Sequence, residues 1–386
     1  MDKVVALLCV ACLGTCFSLL GAISVKLMPR LGIDKGGFGT LISIFMSVCL
    51  AVSLVAGMVL DSVGFGPVAM AGFGLTACAL LLWSRAATFP MAIVACVVLG
   101  FGAMALNTAG NTLIPEVLFG GKNPAAASNL GNVFFGLGLL LTPLSASWLF
   151  RRTTYERALL VLGVALLLPL PLAMLATYPP SHASLDFSRV AGLLGDAVVP
   201  VAGLVLFCYF GMEASFAHWL PTLGKEVIGR DRPELEGRVV DGLAQRLLSW
   251  FALGMMAGRF TVSQIPVITR YGPWFIAGAA VVAAAVVFAI TVARGTVQVR
   301  SLAIGSGLVF GLVFPTTIGV TFAHFPKDVR GTVFGIIFAI GLAGCVIVPK
   351  AIGNVARRTS VQHGMRLLLP LCIALFVLAV AFGWIR

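Results

Sequence analysis

A carboxylate, an imidazole and an indole share one apolar run. Glu213, His218 and Trp219 belong to FCYFGMEASFAHWLPTLG (207–224), inside a run from about Val198 to Leu220. An acid at the centre of a membrane-length helix costs about 2.5–3.5 kcal/mol, so it marks a functional site by default. Two readings are open for Glu213: it takes up a proton or a polar solute, or it stays protonated and only bonds a neighbouring helix. Met212, Glu213, Phe216 and Leu220 fall on one stripe, while Trp219 turns to another face. His218 sits near the end of the run, where water and headgroups solvate it.

A second constellation is neutral. Asn107 and Asn111 are four residues apart, with Thr108 and Thr112 beside them. At that spacing both amides face one way. Amides and hydroxyls donate and accept hydrogen bonds, which suits sugar hydroxyls, but they carry no proton. The competing role is bonding between helices. Arg246, next to Gln245, is a third candidate: it grips an anion with its fork or snorkels to the surface.

These groups must be held by helices in lipid. The chain has 386 residues, 60% hydrophobic and 10% charged, with mean hydropathy +1.06. Lipid cannot satisfy bare backbone groups, so spans are helices of about 20 apolar residues. Twelve runs are expected, at about 4–25, 37–60, 67–83, 91–114, 127–148, 158–178, 198–220, 243–262, 273–293, 301–322, 332–352 and 365–385. The first is expected to be a retained helix rather than a cleaved leader. A polar link, PPSHASLDFSRVAGLLGD (179–196), divides six runs from six. The domains expected are therefore 1–178, a cytoplasmic linker 179–197, and 198–386. The charged segment 222–242 is expected as a loop with a short surface helix capped by Asp231. Trp83, Trp148, Trp219 and Trp384 end runs and read as interface anchors.

Echoes link the halves. Gly66-Pro67 and Gly272-Pro273 are 206 residues apart, as are Gly138 and Gly344, and Pro143 and Pro349. A parallel repeat places the substrate near the midplane. The nine cysteines all lie in apolar runs, which gives no sign of loop disulfides. Cys9, Cys12 and Cys16 read as helix packing rather than a metal site. The net charge of +12 is scattered over short loops, with no nucleic-acid-binding motif. Neither HExxH nor GxSxG occurs in the spans, so an enzyme is not expected.

Between the second and third runs stands GMVLDSVGFG, with Gly57, Asp61, Gly64 and Gly66. Its acid ends one helix where it can meet the positive N-terminus of another. This stretch resembles the signature loop of the major facilitator superfamily, with Ser62 and Phe65 at its usual basic positions. LNTAGNTLIPE, SNLGNVFFGLGLLLTP, FGMEASFAHWLPTL and GLVFGLVFPTTIG are similar to the fucose permease-like (fucose–galactose–glucose:H+ symporter) group. The matching positions include Asn107, Asn129, Asn132, Gly136, Gly138, Pro143, Glu213, Trp219, Phe314 and Pro315. The resemblance implies an all-α membrane protein of twelve transmembrane helices in two pseudo-symmetric halves, working as a monomer in the cell (inner) membrane by alternating access.

On that resemblance Asn107, Asn111, Asn132, Glu213, Trp219 and Arg246 are expected to bind substrate. Glu213 is expected to couple transport, and Asp61 with Arg259 to gate it. The first run lacks the acid that proton-coupled members of the group carry there, and the fourth has Glu116 only at its edge, so Glu213 is the deep carboxylate left for coupling. No metal or cofactor is expected beyond H+ or Na+ as coupling ion. A sugar or sugar-like solute is the first reading. The alternatives are an organic anion or amphiphilic drug held by Arg246, and a non-transporting membrane receptor. One conflict accompanies the family orientation. It puts eight of the 26 Lys and Arg inside and eighteen outside, against the positive-inside rule.

Overall fold

The computed structural model describes residues 1–180 and 187–385. Residues 181–186 of the linker lie outside the described residues. Among the described residues, eleven helices are long and apolar enough to cross a membrane, and the chain is a multi-pass membrane protein. In chain order they are α1 (Asp2–Leu31), α2 (Gly36–Val63), α3 (Phe65–Arg85), α4 (Phe89–Gly121), α5 (Pro124–Arg152), α6 (Tyr155–Leu175) and α7 (Val198–Asp231). Next comes α8 (Gly237–Ser263), which falls short of the others in apolarity because Arg246 and Arg259 lie inside it. Then follow α9 (Ile268–Thr291), α10 (Thr296–His324), α11 (Lys327–Ala356) and α12 (Val361–Ile385). With α8 the twelve expected helices are present.

Their ends are written locally. Asp34 accepts from the Gly37 amide at 2.8 Å and caps α2. Gly32 closes α1 at φ 63°, in the left-handed region where glycine is at ease. A single residue, Gly64 at φ 88°, separates α2 from α3, which is the tight turn the signature stretch implies.

The helices form two compact units. The first holds Met1–Gly121, Phe134–Val190 and Pro326–Ile336; the second holds Lys122–Val133, Ala191–Phe325 and Ile337–Arg386. In lipid no hydrophobic force drives helices together, so close backbone approach through small residues carries the packing. In the first unit Gly14 of α1 meets Gly138 of α5, and a Cβ on either would strike the other helix's backbone. In the second, a Cβ on Gly344 of α11 would strike the α7 backbone at Phe207 and Gly211, while one on Gly211 would meet the Val348 side chain of α11. The glycine echo in the sequence is thus an echo in packing.

Two expectations are corrected. The segment 222–242 is mostly helix: α7 runs on to Asp231 and α8 starts at Gly237. Glu226 with Arg230, four residues apart, and Lys225 with Asp241 on α8 provide the charge pairs that carry these turns into water. Asp231 does cap a helix, but α10 rather than one of its own loop; it accepts from the Thr296 amide and hydroxyl at 2.8 and 2.7 Å. Trp83 is not an interface anchor, because it is fully buried among the helices of the first unit. Trp148 and Trp384 are exposed as expected, Trp148 under the Arg152 guanidinium.

Candidate functional site

A pair of close-packing motifs builds the charged part of the site. Gly254 and Gly258 of α8 lie against the backbone of α10 at Ile304 and Leu308, and Gly307 and Gly311 of α10 lie against Phe251 and Met255 of α8. Two GxxxG faces therefore touch, and the residue after the second glycine of α8 is Arg259. Four residues beyond Gly311 stands Pro315, which has no N–H. The Gly311 carbonyl thus has no helical donor, and α10 breaks there into Thr296–Gly311 and Val313–His324. Arg259 Nε donates to that carbonyl at 3.2 Å. Its Nη1 donates to the Asn132 carbonyl at 3.0 Å and its Nη2 to the Tyr209 hydroxyl at 3.2 Å. The residue is 2% exposed.

Tyr209 is four residues before Glu213 on α7, hence on the same face, and the two side chains are hydrogen-bonded. The Arg259 charge acts directly on Glu213. The result is a chain from Arg259 through Tyr209 to Glu213, inside the second unit. Glu213 itself is half-buried. Tyr209, Phe210, Phe314 and Phe338 stack or tilt against one another beside it and keep the surroundings apolar. Asn132 contributes its backbone oxygen to Arg259, while its amide donates to the Ser128 carbonyl at 3.0 Å.

The neutral constellation lies on α4 in the first unit. Asn111 Nδ2 donates to the Asn107 side-chain oxygen at 2.9 Å, so the two amides do face together. The Asn107 Nδ2 and the Thr108 and Thr112 hydroxyls are buried with no hydrogen-bond partner. Unmet polar groups of this kind cost about 1–3 kcal/mol each. Phe101, seven residues before Thr108 and so two turns away on the same face, is 47% exposed, whereas Thr108 is 1% exposed. The face passes from open to enclosed along the helix. In the second unit Asn129 donates to the Thr316 hydroxyl at 2.9 Å and leaves its own oxygen unpartnered.

Asp61 is on α2 in the first unit. Its carboxylate accepts from the Gly331 and Thr332 amides at 2.8 and 2.6 Å and from the Thr332 hydroxyl at 2.7 Å. It therefore holds the positive N-terminus of the main turns of α11. Gly57 makes this possible, because a Cβ there would strike the Gly331 carbonyl. Nearby, Glu116 at the end of α4 pairs with Arg330 and Lys327, both at 3.5 Å, and its side chain is 2% exposed. Ser62 and Phe65 take the usual basic positions of the signature loop, and the cations that neutralise this region come from α11 instead.

The remaining expected residues stand apart. Trp219 donates from Nε1 to the Pro349 carbonyl at 3.0 Å and packs on Gly353, tying α7 to α11 within the second unit. Arg246 is exposed on α8 and His218 is exposed on α7, its Nδ1 against the Ala214 carbonyl at 2.6 Å. Among the described residues, no group of three or more His, Cys, Asp or Glu is placed to hold a metal ion. Sequence reasoning passed over Tyr209, Thr316 and the role of Pro315. The i, i+4 spacing of Tyr209 to Glu213, and of Gly311 to Pro315, was the available signal.

Comparison with known proteins bears on the fold. The fold is similar to crystal structures of the Escherichia coli fucose:proton symporter FucP. One matches at TM-score 0.78 and 20% identity over 98% of both chains. Another, in the outward conformation, matches at 0.78 and 19% over 99% of both. The human organic anion transporter MFSD10 (TETRAN) has TM-score 0.74 at 16% identity, again over 98% of both chains. In sequence, the chain is 27% identical over 220 residues to the human MFS-type transporter SLC18B1. That match spans 55% of this chain and 47%, about half, of the relative. The family model of the Major Facilitator Superfamily matches residues 6–349. Eleven membrane-length apolar helices among the described residues, the signature turn at Gly64 and a match over nearly the whole length carry one conclusion: this chain is a transporter, not an enzyme, and belongs to the major facilitator superfamily.

Proposed function

We propose that the protein moves a small, hydroxyl-bearing polar solute across the cell (inner) membrane, coupled to protons. The halves 1–178 and 198–386, joined by a cytoplasmic linker at 179–197, alternate access as one monomer. The observation that carries the reading is the band on α4, where Asn107 Nδ2, Thr108 Oγ1 and Thr112 Oγ1 are buried and unpartnered. Such groups wait for hydrogen bonds that solute hydroxyls supply. Glu213 is the coupling residue, since it is half-buried within a span and bonded to Tyr209. Asp61 and Glu116 gate by holding and releasing the start of α11. The fucose:proton symporter named above has the same fold, which favours a sugar-like solute and H+ over Na+.

The test is uptake of labelled polar solutes into proteoliposomes, with and without an inward proton gradient. Glu213→Gln is expected to lose gradient-driven accumulation and keep counterflow exchange. Exchange and accumulation that both survive in Glu213→Gln assign coupling elsewhere. Absence of any flux, with Glu213→Gln and Asn107→Ala both inert to function, favours a receptor.

A further inference from the structure

The lipid-facing side of the second unit has an apolar groove with cations at one end. We propose that this groove seats one anionic phospholipid of the phosphatidylglycerol type, with an acyl chain in the groove and the phosphate at Lys122 and Arg270. The site goes beyond the transport reading and does not depend on which solute is carried.

The groove has a volume of about 550 Å³ and lies between α9 and α10. Trp274, Gly278 and Val282 line one wall, and Leu308, Val309 and Leu312 the other. Arg270, Trp274, Gly278 and Val282 follow one another at four-residue steps, so they make one stripe along α9. All four are exposed. Gly278 keeps the stripe open, since even a Cβ there would meet nothing within 4 Å. From Arg270 to Val282 the helix rises about 18 Å, close to half of the ~30 Å hydrocarbon core. The stripe therefore matches one acyl chain in one leaflet. Leu312 is the residue at the break of α10, so that chain packs against the turn whose Gly311 carbonyl orients Arg259.

The end of the groove suits a headgroup. The Arg270 guanidinium lies 5.4 Å from the ring centre of Tyr271. Trp274 meets Trp384 of α12 edge-on, with ring centres 6.3 Å apart. These three rings are exposed, and exposed Tyr and Trp collect at headgroup depth. Lys122 is brought to the same end by its neighbours. The Asn123 side-chain amide donates to the Pro266 carbonyl at 2.9 Å, and the Ala125 backbone amide donates to the Thr269 hydroxyl at 3.0 Å. Lys122 and Arg270 are both exposed, and among the described residues neither pairs with an acid. The first turn of α9 holds no acid either. Two cations beside aromatic rings, at the mouth of an apolar groove, complement an amphiphile with a negative head. A neutral lipid fills the groove but leaves both cations without a counter-charge. A second copy of the chain is a poorer match, because two copies in a membrane share one orientation. A two-fold contact on this face would set like cations together at one depth.

The experiment places the full chain in phosphatidylcholine nanodiscs with a rising share of lipid brominated on its acyl chains. The brominated lipid is either phosphatidylglycerol or phosphatidylcholine. Quenching at Trp274 is read as the difference between the chain and its Trp274→Phe variant. Half-maximal quenching is expected at an about tenfold lower share of brominated phosphatidylglycerol than of brominated phosphatidylcholine. Replacing both cations, Lys122→Gln with Arg270→Gln, is expected to bring that ratio to about one. Gly278→Leu fills the groove from a position with open space above it, so the fold survives, and the low-share quenching is expected to vanish. Equal quenching by the two lipids overturns the proposal, as does a preference that survives the loss of both cations or the filling of the groove. A chain that runs as a dimer in detergent, and as a monomer after Gly278→Leu, gives the groove to a second copy and overturns it as well.

Discussion

Asp61 and Arg259 are both charges buried beside helix backbone, and they are held in opposite ways. Asp61 rests on two peptide N–H groups at the start of α11, in the first unit. Arg259 rests on two peptide carbonyls, in the second, one of them freed by Pro315. The fold supplies fixed partial charges of either sign: bare N–H groups at helix starts and bare C=O groups at breaks. Asp61 is stabilised by the helix end it holds. Arg259 is oriented by its carbonyls and donates to the Tyr209 hydroxyl, which is itself bonded to Glu213. The difference separates a carboxylate that ends on helix N–H groups from a cation whose bonds run on through Tyr209 to a second ionisable group.

The largest effect is expected where the cation is buried. Arg259→Gln leaves the Gly311 carbonyl and Glu213 without their cation, a loss of about 3–5 kcal/mol for breaking a buried pair. Uptake is expected to fall more than about 100-fold and the melting temperature in detergent to drop. Asp61→Asn comes next. It keeps the shape, but one amide must lose its acceptor, at about 1.5–3 kcal/mol for a charge-assisted bond. Hydrogen exchange at residues 330–335 is expected to speed at least about tenfold while equilibrium substrate affinity barely moves. A change in affinity with unchanged exchange would erase the contrast between the two regions.

Smaller still is the neutral band. Asn107→Ala removes one unmet donor and the acceptor of Asn111. Solute affinity is expected to weaken by about 1–2 kcal/mol, about 5- to 30-fold, with coupling stoichiometry intact. A shift in proton coupling on this substitution would join the α4 band to the charged node.

The fold was legible because lipid leaves the chain few choices. Runs of apolar residues separated by short polar links fix twelve helices, and Gly64 and Asp61 in one motif fix the turn after the second. Where the reading failed, a polar segment was judged by composition. Residues 222–231 are charged yet helical, because their charges pair along and between α7 and α8 rather than facing a core. Trp83 looked like an interface residue because it ends a run, but α3 buries that face. Glu213 and the paired α4 amides could be named from spacing alone. The neighbourhood of Arg259 could not, since its partners are backbone oxygens, which a sequence carries at every position.

Pro315 gives the finest test of the comparison. Its missing N–H leaves the Gly311 carbonyl to Arg259. Pro315→Ala restores an N–H four residues on and lets α10 close over the break between Gly311 and Val313. The helix would then compete for the oxygen that orients the guanidinium. One ordinary hydrogen bond is worth about 1 kcal/mol, so a loss of uptake of about fivefold is expected, together with a gain in thermal stability from removing a proline inside a helix. The opposite signs are the useful part, because a general disruption lowers both. If uptake is unchanged, Arg259 keeps its aim through Asn132 and Tyr209 alone, and the break in α10 serves packing rather than the charge.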